Sequence, residues 1–303
     1  MRNLAVAGAL GLLLGLLAAF LREHFDRALR TRESVETAFG VPVIGQIPFE
    51  RPRRRGDGRR PVSDPFGQSA EAFRALRANL QYLAVERPLQ TLLITSASPE
   101  QGKTTVTANL AVAIAQSGAS TIAIEGDLRR PRLADTLGVD GRGVGLTGLL
   151  VASLNPNEAI VPVPLSAGGN GTAKTRVGRL SVLASGHLPP NPSELLSSSQ
   201  MEALLDGLRE AYDYILIDSP PLLLVADALG LARMVDGVVI VVRRDEATRD
   251  EARETRALVE RLGIHLVGTV LTDAAATTSY YGDYTAIRAE AVAAGERRAS
   301  REP

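Results

Sequence analysis

Apolar and polar residues alternate along most of the chain, in blocks that switch between two periods. SAEAFRALRANLQYLA carries its apolar residues at helical spacing and predicts an amphipathic helix. TLLITSAS predicts a strand entering a loop, TTVTANLAVAIAQSG a helix ending at Gly118, and TIAIEGD the next strand. RLSVLASG, DYILIDSPP, DGVVIVVRR and HLVGTVLT are further short apolar runs, most of them separated by helical stretches. Strands alternating with helices predict an α/β fold, a mostly parallel sheet with helices on both faces.

The beginning of the chain follows another pattern. Residues 4–21, LAVAGALGLLLGLLAAFL, carry no charge and no polar face. At ~1.5 Å per residue they are just long enough to cross a bilayer core of ~30 Å. They run straight into the amphipathic, helix-like stretch LREHFDRALRTRESVETAF, with no cleavage site between, so the prediction is one transmembrane helix rather than a signal peptide. Gly11 and Gly15 form a GxxxG pair suited to close approach of another helix. Arg2 precedes the span, and Arg22, Arg27, Arg30 and Arg32 follow it. The positive-inside rule then puts the long carboxyl-terminal part in the cytoplasm and the chain in the inner membrane, single-pass.

GVPVIGQIPFE is punctuated by proline and reads as extended connector. Residues 51–65 are rich in Arg, Gly and Pro without apolar periodicity and read as a basic linker that could touch anionic headgroups. The resulting plan is a transmembrane segment at 1–25, connector and linker at 26–65, a cytoplasmic domain at 66–278 and a tail at 279–303. LSAGGNGTAKTR, residues 165–176, is expected as a flexible insertion.

Composition narrows the chemistry. With 303 residues, 45% hydrophobic and 22% charged, the chain is neither disordered nor collagen-like. The absence of cysteine excludes a thiol nucleophile, a Cys-based zinc site and a disulfide framework. His24, His187 and His265 lack ligand spacing, and a formal net charge of +0 argues against nucleic-acid binding by bulk charge. The basic residues are almost all arginine. Lys103 and Lys174 are the exceptions, and Lys103 stands in a glycine-containing loop.

That loop, SASPEQGKTT, lies between a predicted strand and a predicted helix. It matches G-x-x-x-x-G-K-[ST] except that Ala97 holds the first glycine position. Such a loop wraps backbone N–H groups around phosphates, with Lys103 on the terminal phosphates and the Thr104 hydroxyl on Mg²⁺. The expected ATP-binding positions are therefore Ser98, Pro99, Glu100, Gln101, Gly102, Lys103, Thr104 and Thr105. Glu125 and Asp127 end the next strand and Asp218 ends a later one. Carboxylates at the carboxyl ends of parallel strands are expected to face the same crevice and to hold metal or orient a nucleophile. GVGLTG, residues 143–148, fits G-x-G-x-x-G but follows no strand, and reads as a loop opening a short helix.

These motifs resemble those of the bacterial tyrosine kinases fused to, or partnered with, polysaccharide co-polymerases. The phosphate loop, IAIEGDLRRP, ILIDSPP and SGHLPPNPSELLSS all carry the likeness, and the membrane segment with GVPVIGQIP is similar to the last span and connector of the co-polymerase half. EAFRALRANLQ places Glu71, Arg74 and Arg77 in the E-x-x-R-x-x-R spacing with which that family assembles rings. Chromosome-partitioning ATPases of similar fold carry an extra lysine where this chain has Ser98.

The resemblance implies a P-loop NTPase-type domain using ATP and Mg²⁺ for tyrosine autophosphorylation in control of exopolysaccharide or capsule assembly. Tyr280, Tyr281 and Tyr284, crowded into SYYGDY, would be the phosphoacceptors. Lys103, Glu125, Asp127 and Asp218 would be catalytic, with Glu125 activating the hydroxyl and Thr104, Asp127 and Asp218 at the metal. Implied partners are copies of the chain in a ring, a transmembrane activator or co-polymerase, the polymerase and export machinery, and a tyrosine phosphatase. A membrane-anchored ATPase switch and a nucleotide-binding scaffold are the alternatives. The chain departs from the family at Glu125, where aspartate is usual, and at Thr272, an expected ATP-binding position where asparagine often lies near the adenine. Fused members also have two spans around an outer domain, so the one span here implies a separate partner or a start further upstream.

Overall fold

The computed structural model describes residues 27–48, 68–165 apart from 86, 142, 153 and 154, and 178–274, together with Gly11, Leu13 and Gly15. The expected span at 4–21 otherwise lies outside the described residues, as do the basic linker, most of the 165–176 insertion and the tail with its three tyrosines. Among the described residues no helix is long and apolar enough to cross a membrane.

One eight-stranded sheet organises the rest. From one edge to the other its strands are β1 (Val43–Pro48), β8 (Leu266–Ala274), β7 (Gly237–Arg243), β2 (Thr91–Ser96), β6 (Tyr214–Asp218), β3 (Thr121–Glu125), β5 (Leu180–Leu183) and β4 (Ile160–Pro162). Every neighbouring pair is parallel except β4 with β5. The central strands are buried along both faces, which is why TLLITS and GVVIVVR read as continuous apolar runs.

Helices cover both faces, as the alternation predicts. One layer holds α2 (Gln68–Leu83), α3 (Lys103–Gln116) and α4 (Leu133–Leu137) over a core that includes Phe73, Leu76, Leu110 and Ile114. The other holds α1 (Arg32–Phe39), α5 (Leu146–Ala152), α8 (Ser199–Ala211), α9 (Asp227–Ala232) and α10 (Arg249–Leu262), with Phe39, Met201, Leu205, Leu231 and Val259 in its core. Two short helices, α6 (Pro156–Ala159) and α7 (Pro192–Leu196), also lie among the described residues. Residues 143–148 open α5 as expected. A Cβ on Gly145 would lie 2.2 Å from the Gly186 nitrogen, so only glycine lets these two loops touch.

The stretch expected as an extended connector is extended, but it is a strand of the sheet. Val43 pairs with Thr269 and Ile47 with Thr272, and Asn79 Nδ2 donates 2.8 Å to the Ile44 carbonyl from α2 above. Just upstream, Thr31 and Ser34 form a capping box and Gly40 closes α1 in the left-handed region. The Leu29 nitrogen donates to the Ala247 carbonyl at 2.8 Å, and Leu29, Val35 and Phe39 are buried. α1 buries Val35 and Phe39, four positions apart on one face, as the amphipathic stretch predicts, while Leu29 is buried from the non-helical residues before it.

Candidate functional site

The loop after β2 turns through Glu100 at φ 60° and Gly102 at φ 92° and enters α3 at Lys103. A non-glycine residue in the left-handed region is held there by its surroundings. Gln101 supplies much of that hold. Its side-chain oxygen accepts from the Arg243 nitrogen at 2.6 Å, and its carbonyl accepts from Thr272 Oγ1 at 2.9 Å. Ser98 Oγ donates to Glu251, whose carboxylate also caps α10 by accepting from the Thr248 nitrogen at 2.9 Å. Burial works to raise Glu251, but the bonds from Ser98 and Thr248 hold it below the usual carboxylate range. Pro99, Glu100 and Thr105 are exposed at the mouth of the loop.

Lys103 and Asp218 form the charged floor. Lys103 is 8% exposed, and burial lowers its pKa while Asp218 and Asp127 push it back up. Asp218, at the end of β6, is 1% exposed and is raised to about 7 by burial, against the Thr104 hydrogen bond and the Lys103 charge that pull it down. Thr104 Oγ1 donates to Asp218 Oδ2 at 2.7 Å. Thr107 Oγ1 lies 3.5 Å from the other oxygen. A raised, buried carboxyl beside a threonine hydroxyl and an ammonium is a place where a further positive charge would be welcome.

Asp127 is half-buried at the rim and accepts from the nitrogens of Arg129 at 3.2 Å and Arg130 at 3.0 Å. Arg129 makes a bidentate pair with the fully buried Asp227, at 2.7 and 3.2 Å, and Ser193 Oγ also donates to Asp227. Burial works to raise Asp227, and these bonds outweigh it to leave the pKa lowered.

Two expected site residues sit differently from their expected use. Glu125 is 2% exposed, and both its oxygens accept backbone N–H groups, from Leu133 at 2.5 Å and Ala134 at 3.4 Å on one side and Ser185 at 2.9 Å on the other. Its oxygens are taken by these amides, although Glu125 and Asp218 are register partners across β3 and β6 and the Glu125 charge still helps burial to raise Asp218. Thr272 is buried and its hydroxyl is spent on the phosphate loop rather than presented to a base. On α2, Glu71 and Arg74 pair with each other, while Arg77 lies against α3, 3.4 Å from the Ala113 carbonyl.

The donor set fits a Mg²⁺–nucleotide. No group of three or more acidic or histidine side chains gathers round one point among the described residues. Mg²⁺ is held by one or two protein oxygens with phosphates and waters filling its octahedron, and Thr104 and Asp218 offer that share. The loop amides at the start of α3 would supply the phosphate cradle.

Comparison with known proteins gives the same neighbourhood. The chain is 33% identical over 210 residues, 69% of its length and 83% of the relative's, to the tyrosine-protein kinase YwqD of Bacillus subtilis. It is 32% identical over 290 residues, 91% of its own length and 36% of the relative's, to the putative tyrosine-protein kinase EpsB of Ralstonia solanacearum. The solved kinase domain of the Escherichia coli tyrosine kinase ETK superposes with a TM-score of 0.68 at 30% identity, covering 80% of this chain and 94% of that one. No protein-family model matches.

Proposed function

The chain belongs to the family of bacterial tyrosine-protein kinases, and on that footing we propose that it is an ATP-dependent protein-tyrosine autokinase controlling exopolysaccharide or capsule assembly. The observation that carries the reading is the buried pair Lys103 and Asp218, with the half-buried Thr104 bonded to Asp218, beneath a phosphate loop. Bound Mg²⁺–ATP supplies the activated phosphoryl group and the counter-charge for it. Lys103 holds the terminal phosphates with a compact ammonium, and Thr104 and Asp218 offer the metal-facing oxygens. Asp127, at the open rim, helps Asp218 to position the metal and is also the carboxylate best placed to orient an incoming hydroxyl. Catalysis then rests on positioning and charge rather than covalent chemistry.

In this proposal Tyr280, Tyr281 and Tyr284 accept phosphate from a neighbouring copy, with subunits assembled into a ring through the α2 face of Glu71, Arg74 and Arg77. Residues 4–21 anchor the chain in the inner membrane beside a co-polymerase partner, the kinase domain faces the cytoplasm, and a phosphatase resets the tail. Incubation of the full chain with Mg²⁺–ATP, followed by detection of phosphotyrosine, tests the reading. Labelled tyrosine that disappears in Lys103→Met is the expected result. Phosphate release without labelled tyrosine would mean an ATPase switch, and neither product would mean a nucleotide-binding scaffold.

A further inference from the structure

Glu125 is the one acidic side chain of the expected set with both oxygens bonded to backbone amides of other segments, and its surroundings indicate what it does there. Its carboxylate spans three backbone N–H groups on two separate segments. Leu133 and Ala134 open α4, and Ser185 follows the end of β5. Between Glu125 and Leu133 runs the loop of residues 126–132, so the side chain closes that loop into a ring. The loop carries Asp127 and Arg129, and its start is fixed by the Gly126 nitrogen donating 2.7 Å to the Asp218 carbonyl. Its far side is pinned through Arg129 to Asp227.

A proton acceptor for a tyrosine must be within hydrogen-bond reach of an incoming hydroxyl. With 2% exposure and both oxygens on buried amides, Glu125 offers no such approach. A buried carboxylate accepting several backbone N–H groups is instead a strong, directional tie. Length matters here. An aspartate at this position would end roughly 1.5 Å shorter, the length of one C–C bond, and could not satisfy α4 and Ser185 together from the same backbone.

We propose that Glu125 is a positioning residue that locks loop 126–132 to α4 and to the end of β5, and so sets where Asp127 and Arg129 stand over the phosphate site. The assignment rests on the phosphoryl-transfer reading for its consequence, although the tie itself needs only nucleotide binding to be tested.

The test uses the full chain in wild-type, Glu125→Gln, Glu125→Asp and Asp127→Asn forms, and reads three quantities. Amide hydrogen exchange comes first. Leu133, Ala134 and Ser185 should be protected in the nucleotide-free wild type and should exchange at least ~10-fold faster in Glu125→Asp. Affinity for Mg²⁺–ADP should fall ~10-fold or more in both Glu125 variants, as when a supporting partner of a metal site is lost. Turnover at saturating ATP should fall less than ~10-fold in those variants but ~100-fold or more in Asp127→Asn. An unfolded Glu125→Gln with protected wild-type amides also supports the tie.

The proposal is overturned if the three wild-type amides exchange freely. It is equally overturned if a folded Glu125→Gln keeps its Mg²⁺–ADP affinity while turnover alone collapses, the signature of a proton acceptor. Should the wild type form no phosphotyrosine, the exchange and affinity arms still decide the role of Glu125, and the kinase reading fails separately.

Discussion

The ends of β3 and β6 lie side by side, and each buries a carboxylate, yet the two have opposite fates. Glu125 and Asp218 are register partners, and the chain joins them through the Gly126 nitrogen and the Asp218 carbonyl. Both Glu125 oxygens accept hydrogen bonds from buried backbone amides. Asp218 has a threonine hydroxyl, a more distant second hydroxyl and the Lys103 charge, and burial raises it to about 7. A carboxylate satisfied by amides holds structure, and one left partly uncompensated is poised for a cation. What separates them is the partners that the neighbouring segments bring, since burial is nearly the same.

The largest effect should come from Asp218→Asn. Removing the metal-facing charge should lower tyrosine phosphorylation by ~100-fold or more. The same change should stabilise the nucleotide-free protein. The folded carboxyl titrates near 7 and the unfolded one near 3.8, so the folded state holds the extra proton between those values. Stability of the wild type therefore falls as pH rises through that window and levels off above it. Asp218→Asn should remove this slope and gain ~2–4 kcal/mol at pH 8 relative to pH 4 behaviour. Melting curves at both pH values check it, and an unchanged slope would undo the contrast with Glu125.

Gly126→Ala strikes the junction itself. A Cβ there would lie 2.8 Å from the Asp218 carbonyl oxygen and 3.0 Å from Ile217 Cγ2. The strand ends would have to separate, at a cost of ~1–3 kcal/mol in urea unfolding. A neutral result would mean that the two ends are not tightly joined. Asp227→Asn is milder, because its partner Arg129 has a side chain 47% exposed and can turn to water. A loss of ~1 kcal/mol is expected, with phosphorylation reduced only several-fold as loop 126–132 loosens on that side. If Asp227→Asn silenced the enzyme as fully as Asp218→Asn, Arg129 would have to act on the phosphates directly.

Much of the site is legible in the amino-acid sequence alone. The strand–loop–helix context of SASPEQGKTT, the isolated Lys103 and the acids ending apolar runs are local signals, and the structure gathers Lys103, Thr104 and Asp218 at that loop while Glu125 goes to backbone amides. Thr248 and Glu251 form the capping box that opens α10. That Glu251 also takes the hydroxyl of Ser98 is not legible, since the two are 153 positions apart. Asp227, a lone acid in an apolar stretch, is a signal without an address until Arg129 and Ser193 meet it.

Hydrophobic period determined the alternation of strands and helices and the position of the phosphate loop, because both depend on neighbours a few residues away. Strand order was another matter. Only the assembled sheet placed β1 beside β8 and turned a proline-punctuated connector into an edge strand, with Leu29, Val35 and Phe39 buried against α10 and its neighbours. Only the same assembly decided that Glu125 meets Ser185, that Thr272 serves the phosphate loop and that Arg77 lies on α3. A side chain's type is written in the chain, whereas its hydrogen-bond partners are chosen by which segments packing brings within ~3 Å of it.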